Sequence, residues 1–277
     1  MKLTTHDHSR DVAGLRYVYP VVSRRSGGLS IGVNLNPNNA CNWRCVYCQV
    51  PGLTRGAAPE IDLALLKQEL SLFLRDLEQF FERFEVPVGA REIKDLAISG
   101  NGEPTSARNF AEIVDAVGDL RAAMVPNGSY VLISNGSLVH QKRVQRGLTA
   151  LNRHRGQLWF KLDSATDEGQ ALFNNAGLGV AKHVRNLVIA AQLCPTWIQT
   201  CLFDFRGQGL RDSEASAYLE LLRRLRSEAP IQGVMLYTLA RPSQQGEAAD
   251  LAELPEWQLK RFAAEIAALG YEVRVAY

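Results

Sequence analysis

LSIGVNLNPNNACNWRCVYC, residues 29–48, joins a strand to a cluster of thiols. LSIGVNLN (29–36) predicts a β-strand, and Cys41, Cys45 and Cys48 follow it directly, spaced C-x3-C-x2-C. Outward from this stretch the same rhythm repeats. Leu66, Leu70, Phe73, Leu74, Leu77, Phe80, Phe81 and Phe84 recur at helical spacing and predict one amphipathic helix over 61–84. DLAIS (95–99) predicts the next strand. It ends in GNGEPT and is followed by a helix over about 106–124 begun by Ser106. YVLIS (130–134), LWFKLD (158–163), WIQTCLF (197–203) and VMLYTL (234–239) predict four more strands. Helical stretches follow them over 140–153, 167–192, 213–227 and 255–269, and YEVRVAY (271–277) is a last short strand. Strand then helix, six times over, with apolar strands, predicts an α/β chain with a parallel sheet and outer helices. Six βα units are fewer than the eight of a closed barrel, so the expectation is a partial, three-quarter parallel βα barrel. Residues 1–28 read as an irregular lead-in and 29–277 as one core domain.

Composition bounds the function more loosely. The chain has 277 residues, 46% hydrophobic and 22% charged, with a net charge of +2. That is enough chain for a core without disulfides, and too mild a charge to favour a nucleic-acid partner. MKLTTHDHSR lacks the apolar stretch of a secretory signal, and no run of 18 apolar residues predicts a membrane span. The expectation is a cytoplasmic protein with no membrane partner. In a reducing compartment clustered cysteines serve metal or redox chemistry before disulfides, and an odd count of five fits that.

Three thiolates this close can share one metal centre. A structural zinc site wants four ligands, usually in two separated pairs. A [4Fe–4S] cluster also normally takes four cysteines, so three would leave one iron with an open position. Cys194 precedes Pro195, as cluster-closing cysteines often do, which makes a four-cysteine ferredoxin-like electron carrier the competing reading. The bland reading of Cys194 and of Cys201, which sits in an apolar strand, is a buried small hydrophobe.

C-x3-C-x2-C resembles the signature of the radical S-adenosylmethionine (SAM) superfamily. LNPNNACNWRCVYCQV, SGNGEPT, WFKLDSATD, IQTCLFDFRG and YTLARPS together are similar to the branch that includes archaeal tRNA wyosine-forming enzymes and many uncharacterised bacterial proteins. The resemblance implies a [4Fe–4S] cluster on Cys41, Cys45 and Cys48, with S-adenosyl-L-methionine chelating the open iron. It also implies an oxidoreductase- or lyase-type reaction begun by a 5′-deoxyadenosyl radical, and a flavodoxin or ferredoxin-type reductant. Gly100, Asn101, Gly102 and Glu103 stand where the family holds the methionine amino group. Tyr47 stands near the adenine position. Ser134, Asn135, Lys161 and Asp163 stand where relatives contact ribose or carboxylate. The substrate is not legible: tRNA, a small molecule and a protein all stay open. The second cluster of the wyosine-forming relatives rests on N-terminal cysteines, and residues 1–40 contain none.

Other features have plain readings beside the sharp ones. Trp43 either flanks the cluster or packs in the loop. Lys161 and Asp163 could be only an ion pair, and Glu103 could cap the following helix. His140, His154 and His183 are expected to face solvent. The basic residues of 140–155 and of LLRRLRSE could meet RNA phosphates, but fit better as the solvated faces of outer helices. Arg241-Pro242 could meet substrate or turn the chain.

Overall fold

The computed structural model describes residues 14–23 and 28–276. Eight strands form one sheet in chain order: β1 (Val18–Ser23), β2 (Gly28–Val33), β3 (Ile93–Ile98), β4 (Ser129–Ser134), β5 (Gln157–Lys161), β6 (Thr196–Cys201), β7 (Ile231–Tyr237) and β8 (Glu272–Ala276). β1 runs antiparallel to β2, and every other neighbouring pair is parallel. The sheet curls, because Tyr19 of β1, Ile133 of β4, Gln199 of β6 and Ala276 of β8 line one cavity. β1 and β8 remain its two edges, so the barrel is open, as the six-unit count predicts.

The helices are α1 (Leu63–Arg75), α2 (Leu77–Arg83), α3 (Phe110–Met124), α4 (Lys142–Arg153), α5 (Asp167–Asn174), α6 (Val180–Leu193), α7 (Asp212–Glu228) and α8 (Glu256–Ala268). They cover the outer face of the sheet. Leu96, Ile98, Leu132, Phe160, Ile198 and Leu236 point outward into a core shared with Leu70, Phe110, Leu148, Leu187, Leu222 and Phe262. The alternate residues Ala97, Val131, Trp159, Trp197 and Met235 face inward and pack into a floor. Strands buried on both faces account for the apolar runs seen in the sequence.

Four expectations need correction. Residues 18–23 are not irregular but form β1, with Pro20 opposite Ile31. Proline cannot donate to a ladder and is tolerated here because β1 is an edge. The lead-in expectation for residues 1–13 and 24–27, His6 and His8 included, lies outside the described residues. The helix expected over 61–84 breaks at Asp76, whose φ of −100° and ψ of 23° leave the helical region. The break lets Phe80 pack back on Phe73, ring centroids 5.0 Å apart. Ser106 does not begin α3: it closes a single 3-10 turn, Pro104–Ser106, and its hydroxyl donates to the Glu103 carbonyl at 2.6 Å. The strand expected over 197–203 leaves the sheet after Cys201, and Phe203–Phe205 pairs instead with Leu251–Glu253.

Candidate active site

The cysteine loop crosses the C-terminal mouth of the barrel and is laced to three other segments. The last turn of α5 leaves carbonyls without helical partners, and the loop supplies them. Arg44 N–H donates to Asn174 O at 3.1 Å and Val46 N–H to Phe173 O at 2.8 Å. Asn175, left-handed at φ 48°, returns its side-chain amide to Arg44 O. From the other side, the segment after β7 straps the loop down. Ser243 Oγ donates to Val46 O at 2.6 Å, Gln244 N–H to Cys48 O at 2.9 Å, and Arg44 makes a bidentate pair with Glu247. Arg241 donates to Gln49 Oε1 at 3.2 Å, so Arg241-Pro242 belongs to this strap at the cavity rim.

Cys41, Cys45 and Cys48 line one end of a cavity of about 320 Å³. Among the described residues no three His, Cys, Asp or Glu side chains stand close enough to clasp a single metal ion. A cubane cluster spreads its thiolates wider than one ion does, so a spaced ring of thiols suits it. Two sulfurs already accept N–H donors: Cys41 Sγ from Trp43 N at 3.4 Å, and Cys45 Sγ from Asn174 Nδ2 at 3.3 Å. Such donors favour thiolates and tune bound clusters. Burial pushes the Cys41 thiol up to about 12 and the Cys45 thiol to about 11, so both stay protonated until a cation draws the proton off.

The GNGEPT turn sits against the loop. Asn34 Oδ1 accepts from the N–H groups of Asn36 and Asn101, both at 3.0 Å, and Asn36 Nδ2 donates to Ala40 O at 2.8 Å. A Cβ on Gly102 would stand 2.0 Å from Ala40 O, and one on Gly100 2.2 Å from Asn34 Oδ1. Both glycines therefore serve the approach of turn to loop. Glu103 is 2% exposed. It caps the 3-10 turn through Thr105 N–H and also accepts from Thr105 Oγ1, Ser134 Oγ and Asn135 N–H. Burial pushes its carboxyl up against the pull of those donors. Ser134 is thus occupied with Glu103, and the Asn135 side chain binds Asn42 and Ser137.

Lys161 reaches the cavity from the end of β5. Its ammonium donates to Tyr237 Oη at 3.0 Å, stands 3.8 Å from Asp163, and lies 4.9 Å from the Tyr47 ring centre. Burial opposes its charge, but Asp163 and its other neighbours outweigh that and hold its pKa above the usual lysine range. Asp163 accepts from Tyr47 Oη, Asn174 Nδ2 and Cys201 N–H.

Of the residues expected at the site, Tyr47, Gly100, Asn101, Gly102, Glu103, Ser134, Asn135 and Lys161 line the same cavity as the cysteines. Asp163 does not; it stands behind Tyr47 and Lys161 with its side chain fully buried. Cys194 stands apart from the three loop thiols and does not line their cavity. It lies at the opposite end of β6, about 20 Å of strand from Cys201, with its thiol near Ala190 O and Thr196 Oγ1. Cys201 is buried on the cavity wall.

His183 does not face solvent. It is 1% exposed, with Nε2 2.7 Å from Asn135 O, Nδ1 2.9 Å from Gln170 and its ring against Trp43. Its pKa falls to about 4, chiefly through burial. His154 is also partly covered, bonded to Asp115. Arg223 and Arg224 pair with Glu220 and Glu228 on their own helix, which is the solvated-face reading. Sequence reading missed Asn34, Asn36, Asn42, Asn174 and the 243–247 strap. The asparagine-rich run LNPNN was the one local hint.

Residues 35–222 match the Radical SAM superfamily. The chain belongs to this superfamily. Radical SAM enzymes use a [4Fe–4S] cluster and SAM, and they draw an electron from an external reductant. The chain is 25% identical over 137 residues to a UPF0026 protein of Synechocystis sp. and 28% identical over 152 residues to a UPF0026 protein of Methanocaldococcus jannaschii. These matches cover 49% and 54% of the chain, and 45% and 40% of those proteins. A third, 26% identical over 129 residues and 47% of the chain, covers 17% of a protein called GTPase Obg from Brachyspira hyodysenteriae. The chain has no G-x4-G-K-[ST] phosphate loop. The chain thus spans less than half the length of each of these relatives. Among solved structures, a radical SAM methyltransferase from Sphaerobacter thermophilus superposes with a TM-score of 0.61 at 17% identity, over 90% of this chain and 66% of that one. The [FeFe]-hydrogenase maturase HydG gives 0.59 at 13% identity, over 87% and 49%. These likenesses speak for the shared barrel fold.

Proposed function

We propose that this chain is a cytoplasmic radical SAM enzyme whose Cys41, Cys45 and Cys48 hold a [4Fe–4S] cluster with SAM on the open iron. One observation carries the reading: the three thiols and the GNGEPT turn open on one cavity at the C-terminal end of a partial βα barrel. When bound, the cluster and SAM supply reductive cleavage to methionine and a hydrogen-abstracting 5′-deoxyadenosyl radical. The chain's own residues bind and orient. The 100–103 turn offers backbone to the methionine amino group, and Lys161 offers a positive charge to the carboxylate. Tyr47 lies on the wall beside Lys161, and Asp163 fixes both from behind. Ser134 and Asn135 act mainly by holding Glu103 and Asn42. The reductant would be a flavodoxin or ferredoxin-type protein. The oxidoreductase- or lyase-type step falls on a tRNA, small-molecule or protein substrate.

Anaerobic reconstitution with iron and sulfide, then dithionite and SAM, tests this reading. The expected product is 5′-deoxyadenosine. A loaded cluster that neither binds nor cleaves SAM would sink it.

A further inference from the structure

Gln199 lies in the middle of β6, on the inner face of the barrel, and lines the cavity. It is 1% exposed, and among the described residues its Nε2 finds no hydrogen-bond acceptor. In the ladder it pairs with Lys161 on β5 and Met235 on β7. One layer below, Trp159 pairs with Trp197. Trp159, Ile133 and Ala97 form the apolar part of the cavity wall, which also includes Ser30 hydrogen-bonded to Asp95. A buried amide donor destabilises the fold while it lacks an acceptor. It also stands two residues deeper in the barrel than Cys201, away from the loop that holds the thiols. Among the described residues no hydrogen bond depends on this Nε2.

Resting on the radical SAM reading, we infer that Gln199 is a substrate-recognition residue on the inner wall of the barrel. There Gln199 Nε2 donates to an oxygen of a small organic substrate that carries a carbonyl or carboxylate on an apolar body. An amide side chain accepts neither an ammonium nor a hydrocarbon at this nitrogen, so the site selects for an acceptor oxygen. An analogue lacking that oxygen leaves the donor unpaired and is rejected.

The test uses the cluster-loaded full chain, anaerobically, with benzamide, benzoate and benzylamine as probes and thermal shift as readout. Benzamide, benzoate or both should raise the melting temperature of the wild type, and the two separate a neutral carbonyl from a carboxylate. Benzylamine should not. Gln199→Met, close in volume, should bind the effective probe about tenfold more weakly, the worth of one neutral hydrogen bond. Without probe it should melt no lower than the wild type, because an unpaired buried donor has been removed. Should Gln199→Met fail to fold, a crystal soak of the wild type decides by whether the probe oxygen lies on Nε2. Equal binding by Gln199→Met, preference for benzylamine, or a water on Nε2 that no probe displaces would each overturn the inference. SAM binding by the same wild-type sample reports separately on the radical SAM reading.

Discussion

At the scale of single residues, the loop cysteines differ from Cys194 in what surrounds the sulfur. Cys41 and Cys45 receive N–H donors and open on the cavity; Cys194 is packed between α6 and β6. Replacing Cys41, Cys45 or Cys48 with Ala should therefore abolish most iron and sulfide uptake, whereas Cys194→Ala should retain it. Iron and sulfide assay of the reconstituted variants decides. His183 carries a pH signature. Burial lowers its pKa from 6.5 to about 4, against the pull of the Asn135 carbonyl and the Asp163 charge. Above pH 6.5 it is neutral folded or unfolded and contributes no pH dependence. As pH falls from 6.5 to about 4 the unfolded chain takes up the proton first, so the folded state loses stability, roughly 3 kcal/mol in all. Urea unfolding across this window should fall more steeply for the wild type than for His183→Gln. Equal slopes would show that the ring is not buried neutral.

At the scale of elements, the site is a contact between loops more than a property of any one of them. The turn after β3 and the cysteine loop meet where Gly102 lies against Ala40 O. Gly102→Ala should force them apart, cost about 1–3 kcal/mol of stability and weaken SAM binding more than it reduces iron content. Calorimetric titration of SAM against iron assay separates the two effects. By contrast, the Arg44–Glu247 pair is about one third and one quarter exposed. Breaking it should cost under about 1 kcal/mol. The strand-helix alternation was legible because periodicity is written locally into each element. Glycines of GNGEPT were legible as close-approach residues, but what approaches them is the protein's own Asn34 and Ala40. Nothing within a turn announces a neighbour more than sixty positions away.

At the scale of the whole molecule, β1 extends the sheet beyond the β2 strand at which the sequence places its start. It is held at the edge by Glu69 of α1, which is 7% exposed and accepts from the N–H groups of Arg16 and Tyr17 at 2.9 and 2.8 Å. Glu69→Ala would strand those donors at a cost of about 1–3 kcal/mol. Hydrogen exchange should then rise in β1 while the amides of β3 to β6 stay protected. Loss of protection throughout the sheet would mean that β1 is not a separate edge. By itself the sequence determined the C-x3-C-x2-C loop, its place after the first parallel strand, and the six-unit βα count, because spacing and periodicity survive in one dimension. Only the tertiary structure decided which polar residues face the cavity and which are spent on each other. It put Asp163 behind Lys161, drew Ser134 and Asn135 onto Glu103 and Asn42, and left the Gln199 Nε2 without an acceptor among the described residues. The reason is physical: a buried polar group must find its partner in space, and many partners here lie tens of residues away along the chain.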